Sequence, residues 1–427
     1  MSAAVIFGLL LALMLTGMPV SISLGLTVLT FLFTMTQVPI ESVALKLFTG
    51  IEKFEIMAIP FFILAGNFLT HGGVARRMIN FATAMVGHWH GGLGLAAVVA
   101  CALFAAVSGS SPATVVAIGS IMIPAMVKGG FPVSFGTGVV ASAGGLGILI
   151  PPSIVMVMYA VTTNSSIGAL FIAGVIPGFI LAAVLGGTTW FMAVRNKYPR
   201  LPKASLRERV RAFREAIWGL LLIVVVIGGI YAGIFTATEA AAMSAVYAFV
   251  IAVWVYRDMP LKAVPKVLLS SANMAAMLLY IITNAVLFSF VLTNENIPHA
   301  IADWIVHNDL GVVGFLMVVN LLLLLAGNFM EPSSIILIMA PILFPVAEKL
   351  GIDPIHFGVM ITVNMEIGMI TPPVGLNLYV ASGIAKMGMT ETTKSVVPWL
   401  LAMLGFLLLI TYVPEISLWL PRMLGML

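Results

Sequence analysis

The stretch "GILIPPS", residues 147–153, places a glycine and two adjacent prolines inside an apolar run long enough to cross a membrane. A second stretch, "GMITPPV" at residues 368–374, does the same near the other end of the chain. Proline lacks the backbone N–H that an α-helix needs, and its ring clashes with the preceding turn. Both stretches therefore predict membrane helices that are interrupted partway through the bilayer.

Composition assigns the chain to the polytopic membrane proteins. Of its 427 residues, 61% are hydrophobic and 8% are charged, and the mean hydropathy is +1.15. Soluble globular chains carry about 25% charged residues, so that class is excluded. The first residues lack a basic leading region and a small-residue cleavage site, which favours a first span over a removable signal peptide. We therefore expect the lipid bilayer to be the main surrounding of this protein.

Few residues support disulfide, metal or nucleotide chemistry. The single cysteine, Cys101, excludes an internal disulfide, and six scattered histidines form no metal-binding pattern beyond His88 and His90 in a predicted loop. No G-x-x-x-x-G-K-[ST] pattern occurs, so the chain does not bind ATP in the P-loop manner. Energy for transport would then come from an ion gradient or from a partner.

Ten apolar runs are predicted to cross the bilayer, which takes about 20 residues each. Five precede a basic centre: about 3–16, 20–36, 57–70, 132–163 and 168–194. Five follow it: about 217–235, 239–256, 271–292, 354–385 and 396–420. The paired prolines lie in the fourth and the ninth of these spans, which are therefore predicted to be broken helices.

Two further apolar runs are predicted to form re-entrant helical hairpins. One extends over about 92–127 around the polar tip "SGSS" at 108–111, and the other over about 312–347 around "GNFME" at 327–331. Each arm has about 16 residues and would rise roughly 24 Å, less than the ~30 Å hydrocarbon core. An ordinary helical hairpin with a surface loop is the alternative for both runs.

Basic residues predict the topology. The segment 195–216, "RNKYPRLPKASLRERVRAFREA", holds eight of the twenty Lys and Arg residues and is expected to be a cytoplasmic linker. Five spans on either side of it place both termini outside. The same count puts sixteen basic residues on the cytoplasmic side and four outside. Glu208 and Glu215 interrupt the basic run, which argues against a nucleic-acid-binding patch.

An internal repeat relates the two halves of the chain. Gly147 and Gly368 are 221 residues apart, as are Pro151 and Pro372, which begin the proline pairs. Prolines of the hairpins follow the same spacing within one residue: Pro112 with Pro332 and Pro124 with Pro345. The shorter echo "LAGNF", at 64–68 and again at 325–329, has a separation of 261 residues and is attributed to chance.

Because each repeat has five spans, the second (217–427) is predicted to be inverted relative to the first (1–194). Inverted repeats with interrupted helices are typical of secondary transporters, in which the breaks meet near the membrane midplane. Interrupted backbone must line a site enclosed by protein, where helix N-termini favour anions and unwound carbonyls coordinate cations. The predicted fold class is an all-α polytopic transporter with one hairpin and one broken helix per repeat.

Two carboxylates are predicted at the depth of this site. Glu331 lies at the tip of the second hairpin and Glu366 just before the second break, with no Lys or Arg at comparable depth. Charged groups inside a membrane are costly and usually functional. An anionic substrate would need an accompanying cation, which favours Na⁺ symport, with carboxyl protonation as the alternative. For Glu366, a structural hydrogen bond at the helix break is equally open.

Three serines beside the hairpin prolines have two candidate roles. Ser110, Ser111 and Ser333 would either bind a substrate carboxylate or cap the helical arms that begin at Pro112 and Pro332. Capping is the favoured role for at least one of them.

Longer motifs resemble a known family. The segments "SGSSPATVVAIGSIMIPAM", "GGLGILIPPSI" and "NMEIGMITPPVGLNLYVASG" are similar to the large membrane subunit of tripartite ATP-independent periplasmic (TRAP) transporters of the C4-dicarboxylate type, over essentially the whole chain. The resemblance implies Na⁺-coupled import of a small organic anion by an elevator mechanism, in which hairpins and broken helices slide against the other spans. It also implies a small four-helix membrane subunit, a periplasmic substrate-binding protein and a place in the bacterial inner membrane.

The resemblance further implies how the site is divided. Each Na⁺ site would combine a hairpin tip with a helix break: Ser108, Gly109, Pro112, Gly144 and Gly147 in the first half, and Gly327, Asn328, Glu331, Gly368 and Thr371 in the second. The predicted substrate contacts are Ser110, Ser111, Ser333 and Thr371. Pro151 and Pro372 would hold the breaks open, and Glu366 would have a coupling or structural role.

Other functions would use part of this pattern. A stand-alone Na⁺/dicarboxylate symporter would have similar hairpins but would need no binding protein. A channel could share the helix breaks but would pass ions far faster than a carrier turns over. A membrane-embedded enzyme would need histidines or carboxylates on facing spans, and the histidines lie mostly in predicted loops. We therefore expect a transporter subunit and not an enzyme.

Overall fold

A computed structural model describes residues 2–36, 38–49, 51–297, 300, 303, 311–328 and 330–427. Throughout these residues the regular structure is helical, with no β-strand. Apolar side chains from most helices pack into one continuous core. The all-α class predicted from the sequence is confirmed.

The helices before the basic segment include both arms of the first hairpin and the first broken helix. They are α1 (Ser2–Leu15), α2 (Val20–Met35), α3 (Ile40–Thr49), α4 (Ala58–His71), α5 (Val74–Val86), α6 (Gly92–Ser108), α7 (Ser111–Lys128), α8 (Val133–Ala143), α9 (Leu146–Leu149), α10 (Ile154–Thr163) and α11 (Ile167–Arg195). A 3₁₀ turn, Phe54–Met57, leads into α4.

The later helices include the second hairpin and the second broken helix. They are α12 (Leu206–Tyr231), α13 (Ala237–Val250), α14 (Val264–Asn294), α15 (Gly311–Gly327), α16 (Pro332–Lys349), α17 (Pro354–Gly368), α18 (Leu376–Ala385), α19 (Met389–Tyr412) and α20 (Glu415–Met423). A π-helical turn, Ile251–Val255, extends α13, and a 3₁₀ turn, Leu261–Ala263, precedes α14.

In the described part of the chain, nine segments are long and apolar enough to span a membrane. Most coincide with predicted spans, but Ser111–Lys128 and Pro332–Lys349 are the second arms of the two hairpins. These arms have 18 residues and rise about 27 Å, so they are longer than expected. The first two predicted spans contain the shorter helices α1 and α2, of 14 and 16 residues. The re-entrant course of the hairpins stays a prediction.

Only part of the basic segment 195–216 is a linker. α11 continues to Arg195 and α12 already begins at Leu206, so the later part of the segment is helical and continuous with the next span. A capping box produces this early start: the Ser205 hydroxyl accepts from the Glu208 N–H, and the Glu208 carboxylate accepts from the Ser205 N–H. The helix therefore begins about three turns before residue 217, where the membrane span was predicted to begin.

The helices are interrupted at both proline pairs. Residues 150–153 separate α9 from α10, and residues 369–375 separate α17 from α18. The Pro151–Pro152 and Pro372–Pro373 peptide bonds are both cis. Because proline has no backbone N–H, the helical hydrogen-bond ladder stops at each pair. A new helix starts after each pair, at the Ser153 cap and at Gly375, whose φ is +50°.

A buried polar network ties the second hairpin to its broken helix. Asn364 of α17 donates from Nδ2 to Asn320 Oδ1 of α15 at 2.9 Å, and Asn320 donates to the Thr411 hydroxyl of α19 at 2.9 Å. The His356 ring, also in α17, lies 2.9 Å from Ser417 Oγ and 3.3 Å from the Thr411 carbonyl oxygen. These side chains are buried among apolar neighbours, where water cannot replace a lost partner. The network therefore fixes the first arm of this hairpin against α17 and α19.

Asn320→Ala should lower the free energy of unfolding by about 1–2 kcal/mol, because Thr411 loses its donor and Asn364 loses an acceptor. Chemical unfolding in detergent micelles, followed by tryptophan fluorescence, measures the difference. The matched control is Leu321→Ala on the next position, whose side chain is 61% exposed and should matter little. Equal losses for the two variants would show that the network does not stabilise this packing.

Candidate functional site

A cavity of about 510 Å³ lies between the two hairpin tips and helices α4 and α14. Its walls are largely apolar, and its polar groups come from the tip serines, Glu331 and Asn67. Within the described residues no lysine, arginine or histidine lines it. A small organic anion in this cavity would meet hydroxyl groups and backbone but no cationic side chain.

The first tip is held by hydrogen bonds within itself. Gly109 has a φ of +62°, a left-handed conformation that favours glycine. Ser108 Oγ lies 2.9 Å from Thr114 Oγ1, and Thr114 Oγ1 donates to the Ser110 carbonyl at 2.9 Å. Ser110 occupies the N-cap of α7, but its side chain makes no capping bond. Side-chain capping is therefore wrong for Ser110, which lines the cavity beside Ser111.

The second tip is capped by a carboxylate and not by a serine. Glu331 Oε2 accepts from the Ser334 N–H at the start of α16 at 3.4 Å, and Ser333 Oγ donates to Glu331 Oε1 at 2.5 Å. A carboxylate at a helix N-terminus is favoured by the helix dipole. Glu331, predicted as an ion ligand, thus has a structural role at this tip, and both Glu331 and Ser333 line the cavity.

Each tip is hydrogen-bonded to the break in its own half of the chain. The Gly109 carbonyl accepts from the Ile154 N–H at 3.3 Å, and the Asn328 carbonyl accepts from the Val374 N–H at 3.0 Å. Val374 follows Pro373 directly, and one residue separates Ile154 from Pro152. The backbone groups freed by the prolines therefore find their partners in the hairpins.

Glycine makes this close approach possible. A Cβ on Gly147 would lie 2.6 Å from the Ser110 carbonyl oxygen, and a Cβ on Gly368 would lie 2.8 Å from the Gly327 Cα. A Cβ on Gly144 would overlap the Val115 side chain. The predicted ion-site glycines thus lie in the contact between tip and break, and any larger residue would separate the two.

Sequence reasoning missed the opposite wall of the cavity. Asn67 of α4 lines it and donates from Nδ2 to Ser271 Oγ of α14 at 2.7 Å. Its neighbour Gly66 lies against Ser108, since a Cβ there would be 3.0 Å from the Ser108 carbonyl oxygen. Both belong to the first copy of "LAGNF", which was attributed to chance. An amide inside an apolar span was the signal that could have identified Asn67.

Glu366 reaches from the second half of the chain to the first break. Its side chain is 0% exposed, and neither carboxylate oxygen has a hydrogen-bond partner among the described residues. It packs on Gly145, between α8 and α9, where a Cβ would lie 2.6 Å from Glu366 Oε1. The predicted structural hydrogen bond of Glu366 is therefore wrong, and its carboxyl group lies between the two breaks.

Other buried oxygen atoms near the breaks also have no donor in the described chain: Ser142 Oγ, Asn328 Oδ1, Asn364 Oδ1 and Asn377 Oδ1. Oxygen ligands of this kind, with unwound backbone carbonyls, suit alkali cations in transporters. No group of three or more His, Cys, Asp or Glu side chains that could hold a transition metal occurs in the part of the chain that the structure describes.

Nine predicted residues are absent from the cavity lining: Gly144, Gly147, Pro151, Gly327, Asn328, Glu366, Gly368, Thr371 and Pro372. Thr371 is not among the residues that line it, and its hydroxyl donates to the Ile367 carbonyl at 2.7 Å. Pro151 and Pro372 lie in the breaks, as their predicted role requires. Across the two halves, Asn377 donates to Ser111 Oγ at 2.7 Å, so this serine already has one partner.

Comparisons with known proteins show the family to which the chain is related. The family model for the "Tripartite ATP-independent periplasmic transporter, DctM component" matches residues 7–416. The C4-dicarboxylate TRAP transporter large permease protein DctM of Rhodobacter capsulatus is 74% identical, and the match covers 100% of both chains. The protein of the same name from Pseudomonas aeruginosa is 55% identical over 95% of each chain.

A solved structure supports the fold. The chain is similar to the Alcanivorax borkumensis YdaH transporter, with a TM-score of 0.65 over 90% of this chain and 88% of that one. The two sequences are 16% identical, so the likeness concerns the fold alone. It agrees with a polytopic helical membrane protein.

Gly145→Ala should destabilise the protein by about 1–3 kcal/mol, because the added methyl group would displace the Glu366 side chain. Thermal unfolding in detergent measures the loss. Combining it with Glu366→Ala removes the clash, so the double variant should lose less than the sum of the two single changes. Gly187→Ala is the control, since a Cβ there meets nothing within 4 Å. Strict additivity would contradict the Glu366–Gly145 contact.

Proposed function

The chain belongs to the DctM component family of tripartite ATP-independent periplasmic transporters, and we propose that it imports a C4-dicarboxylate by Na⁺ symport. The cavity between the hairpin tips is the observation that carries the proposal. It offers serine hydroxyls and one carboxylate, with no cationic side chain among its described lining residues. A dianion in such a site needs cations that arrive with it.

Na⁺ is the cation that the surrounding groups suit. Asn328 Oδ1 at the second tip and Ser142 Oγ near the first break are buried acceptors without donors in the described residues. Each tip also meets its break through backbone carbonyls. One ion at each tip-and-break contact would bring two positive charges close to the substrate carboxylates, which lowers the cost of burying them.

The proposed movement is an elevator. Hydrogen bonds and glycine contacts join each tip to its break, and the polar network adds α19 to this unit. The opposite cavity wall, on α4 and α14, is connected to the tips mainly through van der Waals contacts such as that of Gly66 with Ser108. This unequal bonding supports a unit of hairpins and broken helices that slides past the remaining helices.

Topology and partners complete the proposal. The basic segment 195–216 supports a cytoplasmic centre, with both termini on the periplasmic side of a bacterial inner membrane and the second repeat inverted relative to the first. Family membership supports a small membrane subunit and a periplasmic substrate-binding protein as partners. A stand-alone symporter is the second candidate, because the same cavity could bind the substrate in a tripartite transporter or in a stand-alone symporter.

Succinate uptake into proteoliposomes under an inward Na⁺ gradient separates the two candidates. We expect accumulation only when this chain, the small subunit, the binding protein and Na⁺ are all present, since delivery by the binding protein is part of the proposed cycle. Replacing the Na⁺ gradient with a K⁺ gradient is the control. Uptake by this chain alone would identify a self-sufficient symporter, and uptake without Na⁺ would rule out the proposed coupling.

Glu366→Gln should reduce Na⁺-driven uptake by about 5- to 150-fold, the range of typical coupling energies, while membrane insertion is retained. The reason is that the change removes an ionisable carboxyl group that is fully buried against Gly145 of the first half. Glu391→Gln, an exposed carboxylate at the start of α19, is the matched control and should leave uptake unchanged. Wild-type uptake with an unaltered Na⁺ dependence in Glu366→Gln would exclude a coupling role.

A further inference from the structure

The start of α12 carries positive charge that the described chain does not neutralise. The segment 195–216 has eight basic residues and two acidic ones. Both acids are engaged: Glu208 in its capping box with Ser205, and Glu215 with Arg211 at 3.0 Å. Within the described ranges, no other basic residue of this segment forms an ion pair. An unbalanced cationic surface therefore adjoins a membrane span.

The first turns of this helix present three different faces: one buried, one apolar and exposed, and one basic. The buried face consists of Ala212, Ala216 and Gly219. The exposed apolar stripe consists of Leu206, Val210 and Ile217, which are 78%, 50% and 37% exposed. The basic row consists of Arg207, Arg211 and Arg214, all exposed and spaced four and three residues apart along one side of the stripe. The apolar stripe and the basic row thus lie side by side on the outer surface.

The depth of the basic row follows from the length of the helix. α12 has 26 residues and is about 39 Å long, roughly two turns more than the ~30 Å hydrocarbon core requires. The basic row continues at helical spacing into Trp218, which is exposed, and tryptophan favours the membrane–water interface. The length of α12 and the position of Trp218 therefore predict that the row lies at the level of the lipid headgroups.

Arg209 lies on the other side of the apolar stripe. Its Nε and Nη2 atoms are buried and have no hydrogen-bond acceptor among the described residues. A guanidinium group matches the geometry of a phosphate and binds it through two parallel hydrogen bonds. The stripe is thus flanked by cations on both sides. The side chain of Arg209 would have to turn outward for its unpaired donors to reach a phosphate.

We propose that the first turns of α12 bind an anionic phospholipid, with its phosphate at Arg209 and the basic row and its acyl chains along the apolar stripe. Basic segments next to a membrane helix attract anionic lipids. The apolar stripe selects a phospholipid over a soluble anion or nucleic acid, because it continues the lipid-facing side of the span into the headgroup region. This site is separate from the transport cavity and does not depend on the proposed function.

The test is a titration of the full-length protein in mild detergent with fluorescent phosphatidylglycerol, and with phosphatidylcholine as the neutral probe. The variant R207Q/R209Q/R214Q removes three charges and keeps the Arg211–Glu215 pair. We expect its phosphatidylglycerol affinity to fall by on the order of 100-fold, about fivefold per charge. Phosphatidylcholine binding should not change. The matched control K128Q/K262Q/K266Q removes three exposed charges elsewhere and should retain affinity.

Two measurements keep the test decisive. Native mass spectrometry of the unaltered protein should show retained phosphatidylglycerol. The variant Arg209→Lys keeps the charge but loses the paired hydrogen bonds, so it should weaken phosphatidylglycerol binding severalfold. This second result tests the proposal even if the triple variant does not fold. Equal affinity for the two lipids, or equal phosphatidylglycerol affinity in the triple and control variants, would overturn the proposal. A co-purified protein lost with the triple substitution, in place of a lipid, would also overturn it.

Discussion

The hydrogen bonds between hairpin tips and helix breaks are the constraint on which the site depends. A membrane interior offers no water to backbone groups freed by proline, so protein must satisfy them. The Ile154 and Val374 amides meet the Gly109 and Asn328 carbonyls for this reason. The prolines that interrupt the helices thereby place each tip beside the break in its own half of the chain.

Close backbone contact gives this arrangement its rigidity. Gly327 and Gly368 lie so near each other that neither can carry a side chain without moving the other segment. The Asn320–Asn364 bond then fixes the hairpin arm that leads to the tip. In the second half, tip, break and arm form one packed unit, and in the first half the tip packs on its break. The wall at Asn67 belongs to helices outside these units. The cavity thus lies between the hairpin tips on one side and α4 and α14 on the other, as the proposed sliding of the hairpins past these helices requires.

The absence of a cationic side chain from the described cavity lining explains why positive charge at the site would come from bound ions. The Glu331 carboxyl accepts hydrogen bonds from Ser333 and Ser334, and a carboxyl group does not attract an anionic substrate. Glu366 is buried without a partner in the described residues and touches the break of the other half. Ions at the two breaks would offset both carboxylates and the substrate together. One buried side chain would then link the two ion sites.

Much of the fold could be predicted because its causes are local. Paired prolines interrupt helices wherever they occur, and the glycine and serine tips follow from their own conformational preferences. The sequence therefore predicts the class of protein, both helix breaks and most of the tip residues that line the cavity. The three helical turns of α12 before residue 217 were not predicted, because the capping box that starts them lies within a strongly charged stretch.

The sequence by itself determined the membrane class, the broken helices and the residues that form the two tips. Only the tertiary structure decided that Asn67 completes the cavity, that Glu366 packs on Gly145 and that Asn377 donates to Ser111 across 266 residues of chain. Helix interruption depends on neighbouring residues in the chain. Cavity walls and buried contacts depend on which helix faces which, and that follows from the packing of the whole molecule.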